Sequence, residues 1–70
     1  MKRSFNAVIK QDEGWWIGWV EEIPGVNSQG KTRPELLKNL RSALKEALEF
    51  NREDARAAAQ QDYEEQAILV

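Results

Sequence analysis

The run Gly14-Trp15-Trp16-Ile17-Gly18-Trp19-Val20-Glu21-Glu22-Ile23-Pro24-Gly25-Val26-Asn27-Ser28-Gln29-Gly30 decides the fold, and it holds all three tryptophans of the chain. Trp15 to Glu21 reads as a strand. Successive side chains alternate across a strand, so Trp15, Ile17 and Trp19 share one face and Trp16, Gly18 and Val20 the other. Both faces carry large apolar groups. A small sheet with one helix can cover only one of them, so the other must meet solvent or a second chain. Gly18 marks a bulge or a close approach, and a neighbouring indole filling the gap is the simplest version. Ile23-Pro24-Gly25 is a turn, with Pro24 fixing φ and Gly25 supplying the unusual conformation. Val26 to Gln29 is then a short strand, ended by Gly30.

Upstream, Ser4 to Lys10 alternates, with Phe5, Ala7 and Ile9 on one face and Asn6 and Lys10 on the other. Asp12-Glu13-Gly14 turns this first strand into the tryptophan strand, so the three strands form an antiparallel meander. Downstream, Thr32 and Glu35 make a capping box, with Pro34 in the first turn, where a missing N–H costs nothing. Leu36, Leu37, Leu40, Ala43, Leu44, Ala47 and Leu48 then recur on one helical face and predict packing on the sheet. Basic residues crowd the start of this helix and acids follow, against the macrodipole preference, which a helix running on past Phe50 would explain. Asn51-Arg52-Glu53-Asp54 nevertheless reads as a second capping signal, predicting a break and a short, weakly held helix to about Gln61. Ala67-Ile68-Leu69-Val70 suits a terminal strand, pairing within the sheet or along a partner's edge.

The 70 residues form a single domain, residues 1–70, of the α+β class. A chain this short buries only about 60% of its unfolded surface. Without cysteine no disulfide can help, so oligomerisation is the expected support, with Ile68, Leu69 and Val70 the candidate self-association residues. The net charge of −2 argues against a dedicated nucleic-acid binder. No apolar run approaches a membrane span and no secretory signal follows Met1-Lys2-Arg3, so a cytoplasmic location is expected.

Catalytic and metal chemistry has little to stand on. Histidine and cysteine are absent, which removes the usual zinc ligands and the commonest catalytic groups. Gly14 to Gly18 lacks the Gly-Lys-Ser/Thr ending of a phosphate loop. The pairs Asp12/Glu13 and Glu21/Glu22 are adjacent on extended chain and face opposite ways, so they form no ready ligand cluster. No catalytic, metal or cofactor residue is assigned.

The stretch from Gly14 to Gly30, with Ile23-Pro24-Gly25 and then Lys31-Thr32-Arg33-Pro34-Glu35-Leu36-Leu37-Lys38-Asn39-Leu40, resembles the HicB antitoxin family over about residues 5–50. The resemblance implies a partial RNase H-like fold, which combines with the local reading as β-β-β-α-(α)-β: a three-stranded antiparallel meander plus a C-terminal strand, one main helix and a short second one. It also implies a non-enzymatic antitoxin of a type II toxin–antitoxin pair, which binds a HicA-like toxin, an mRNA ribonuclease, and occludes its active surface. An RNase H-like site would need several acids converging on divalent metals, and no spacing here forces that. Many family members also carry a C-terminal DNA-binding domain. Residues 1–70 hold no segment for one, so operator binding is not expected of them.

The candidate partner-binding residues are Trp15, Trp16 and Trp19 with Glu21 and Glu22, because aromatic anchors dominate interface energies and acids would steer a basic nuclease. Whether Trp15 or Trp16 is the exposed one depends on the face the helix covers. The competing reading for every tryptophan is core, and it is favoured for Trp15 and Trp19 together. The alternative function is an orphan homo-oligomeric scaffold with no toxin.

Overall fold

The structure, a computed structural model, describes residues 4–69. Strand β1 (Ala7–Asp12) is followed by β2 (Trp15–Val20), β3 (Asn27–Gly30) and the helix α1 (Arg33–Ala59). The strands form one antiparallel sheet in the order β1-β2-β3.

The turns explain the register. Glu13 and Gly14 both hold positive φ, 49° and 86°, as a two-residue type I′ hairpin requires, and they set Asp12 opposite Trp15. At the second connection the Val26 N–H donates to the Ile23 carbonyl, with Pro24 and then Gly25 (φ 88°) between them, a type II turn. The Val20 N–H then donates to the Val26 carbonyl and starts the β2–β3 ladder.

Thr32 caps α1, its hydroxyl accepting the Glu35 N–H at 3.2 Å, with Pro34 in the first turn. The helix runs back along β3 and β2. Leu36 and Leu40 are buried with Val20 and Val26, and Ile9, Trp16, Ala43, Leu44 and Ala47 pack around them. Two glycines permit this approach. A Cβ on Gly18 would lie 2.9 Å from Ile9 Cγ2 and 3.1 Å from Leu40 Cδ1, so an isoleucine and a leucine fill the space expected for an indole. A Cβ on Gly30 would lie 2.7 Å from the Leu36 backbone nitrogen, so the first helical turn rests directly on the end of β3.

The C-terminal third departs from the expected β-β-β-α-(α)-β order: the architecture is β-β-β-α. Helix α1 is 27 residues long and passes through Asn51 without a break, so there is no second helix among the described residues. Asn51 to Ala59 contains no proline or glycine, and its Arg, Glu and Ala residues sustain a helix already nucleated on the sheet. The acids Glu46, Glu49, Glu53 and Asp54 consequently lie inside the helix, and its last turn carries Arg56. The expected C-terminal strand is also absent among the described residues. The chain reverses through Gln60 and Asp62, both at positive φ, and Glu65 meets Arg56 Nε at 3.2 Å. Ile68 and Leu69 form no strand and stand 77% and 73% exposed, while Val70 lies outside the described residues. No described helix is long and apolar enough to cross a membrane.

Candidate functional site: the uncovered face of the sheet

The helix covers the face of Trp16, Gly18 and Val20, leaving the opposite face open. Three open-face residues come from β2. Trp15 stands beside Asp12, Ile17 lies between Lys10 and Gln29, and Trp19 lies between Val8 and Asn27. Trp15 and Trp19 are 41% and 42% exposed, while Val8 and Ile17 are half-buried. Strand geometry places the two indoles about 13 Å apart, four residues at the strand rise. An apolar ridge thus runs along the middle strand, extended sideways by Val8 and otherwise flanked by the polar Lys10, Asp12, Asn27 and Gln29.

These positions separate the tryptophans. Trp15 and Trp19 are surface residues, which corrects the assignment of that pair to the core, and Trp16 is half-buried against the core. A signal for this existed in the sequence: Gly18 and Gly30 lie on the same face as Trp16 and Val20. Strand glycines mark where another backbone or side chain approaches closely, and that face takes the helix.

The two acids also differ. The Glu22 carboxylate accepts the Asn6 N–H at 2.9 Å and 3.1 Å and the Asn6 Nδ2 at 3.1 Å, fastening the start of β1 to the end of β2. Its nearest task is structural. Glu21 is exposed, and its N–H donates to the Asn6 carbonyl, continuing the ladder one step past β2. The same alternation carries Glu21 to the side of Trp19. Among the described residues no three acidic side chains gather into a metal-holding group. Ile68 and Leu69 belong to the tail and not to this face.

The chain is 36% identical over 72 aligned residues to a UPF0150 protein of Synechocystis sp., an alignment covering 100% of this chain and 99% of that protein. It belongs to the UPF0150 family. A second Synechocystis UPF0150 protein is 39% identical over 49 residues, 69% of this chain and 71% of the relative. A UPF0150 protein of Helicobacter pylori is 41% identical over 39 residues, covering 56% of this chain and 54% of the relative. No protein-family model matches the chain, and no solved structure matches it.

Proposed function

We propose that this UPF0150 protein is the antitoxin of a type II toxin–antitoxin pair, and that it neutralises a HicA-type mRNA ribonuclease by occluding its active surface. The observation that carries the reading is the exposed pair Trp15 and Trp19 on a sheet face the chain's own helix leaves open. The resemblance of residues 5–50 to HicB antitoxins supports it, as does membership of UPF0150, which includes short HicB-like proteins. Paired aromatic anchors around a half-buried Ile17 suit a protein partner, since large apolar side chains dominate interface energies. Asp12, Glu13 and Glu21 stand near this face and favour fast encounter with a basic nuclease.

Occlusion makes inhibition stoichiometric. Titrating the chain into a fixed concentration of the ribonuclease encoded beside it is expected to remove RNA cleavage linearly, ending at a fixed molar ratio. Cleavage that persists at large excess contradicts the reading. So does cleavage of RNA by this chain alone with Mg²⁺ or Mn²⁺ present.

A further inference from the structure

The two ends of the open face differ in charge. At the Trp15 end, Asp12 is the cross-strand neighbour and Glu13 belongs to the turn, but the β2–β3 register brings Lys31, one step past Gly30, level with Trp15. At the Trp19 end, Val8 and Asn27 flank the indole, and the next pair along, Asn6 and Glu21, adds a carboxylate. The Glu22 carboxylate meets it there, because it accepts from both nitrogens of Asn6. Those donors are neutral, so they leave the charge of Glu22 uncancelled. Among the described residues no ion pair engages Glu21 or Glu22. Lys10 stands across from Ile17, one pairing step from either indole, and favours neither end. Trp19 is thus an exposed indole with two carboxylates beyond it and, among the described residues, no cation level with it.

We propose that the Trp19 end receives an arginine of the docking partner, its guanidinium laid on the indole and its N–H groups turned to Glu21 and Glu22, while Trp15 meets an uncharged group. The inference rests on the open face being the docking surface, as proposed above. Charge selects the occupant. Two carboxylates repel a phosphate backbone, and the open face of a second copy carries these same charges. Shape selects arginine over lysine: a guanidinium is planar and weakly hydrated, so it stacks on an indole and still forks towards a carboxylate. The half-buried Val8 and Ile17 beside Trp19 offer apolar surface to the stem of the arginine side chain.

The test is an NMR titration of the whole isotope-labelled chain with the capped tripeptide Val-Arg-Val and with its lysine and citrulline counterparts. Citrulline keeps the shape of arginine and loses its charge. The arginine peptide is expected to shift the Trp19 indole N–H and the Glu21 amide in a saturating way and to leave the Trp16 indole unmoved. The citrulline peptide is expected to bind about tenfold more weakly and the lysine peptide about threefold more weakly. Glu21→Gln should weaken the arginine peptide about threefold and leave the citrulline peptide unchanged, which a purely apolar contact does not do. Trp19→Leu keeps an apolar side chain, yet is expected to weaken the arginine peptide at least about threefold, read at the Glu21 amide, while Trp15→Leu changes it little. The inference is overturned if arginine and citrulline peptides bind alike, if the Trp15 indole responds in place of Trp19, or if no saturating shift appears up to the solubility limit. No toxin enters these titrations. A chain that takes the arginine peptide at Trp19 but forms no complex with the neighbouring ribonuclease defeats the toxin reading alone. A complex that forms while arginine and citrulline peptides bind alike defeats this inference alone.

Discussion

The two faces of β2 make the most instructive comparison in this molecule. Trp16, Gly18 and Val20 meet the chain's own helix, while Trp15, Ile17 and Trp19, from the same six residues, touch only their cross-strand neighbours and are covered by no described element. Hydrophobicity does not distinguish them: the face with more aromatic surface is the open one. Glycine does, because Gly18 admits Leu40 and Gly30 admits the first turn of α1. One face is shaped for close packing within the chain, and the other keeps its bulk outward, where a partner can use it.

Breaking the covered face should cost the most stability. Leu36 is fully buried, so Leu36→Ala is expected to lower unfolding free energy by about 3 kcal/mol, read by urea denaturation. With a core of so few buried residues, that loss takes up much of the molecule's reserve. Breaking the open face should act on binding. Trp15→Ala or Trp19→Ala is expected to weaken the toxin complex by about 2 kcal/mol each, measured by calorimetry, while changing the denaturation midpoint little. A large stability loss from either would place that indole in the core.

The covered face can also be sharpened through its glycine. Gly18→Ala forces Ile9 or Leu40 to move and is expected to destabilise by about 1 to 3 kcal/mol. The smallest effect lies far from both faces. Arg56 and Glu65 are an exposed pair joining the overhanging helix to the tail, so Arg56→Ala should change stability by less than about 0.5 kcal/mol in the same assay.

The parts readable from the sequence were those ruled by local chemistry. Gly14, Pro24-Gly25 and the Thr32–Glu35 cap place both turns and the helix start where the structure has them. Glu13 shares the positive φ of Gly14 without any residue preference announcing it. Asn51 to Asp54 misled because capping residues also occur inside helices, and the segment has no residue that stops one. Ile68 and Leu69 have a strand's composition, but composition does not supply a paired edge. The open face was undecided for a different reason: both faces of β2 are apolar, and the choice rests on tertiary packing around two glycines.

The role proposed for the open face of this UPF0150 protein is to dock a toxin. The most direct test is the light-scattering mass of the tagged chain after co-expression with the small open reading frame beside its gene. The wild-type chain is expected to form a stable complex containing both proteins, and Trp15→Ala/Trp19→Ala to lose that complex with the fold retained. A wild-type chain that purifies without the neighbouring protein, or a complex indifferent to both tryptophans, would contradict it.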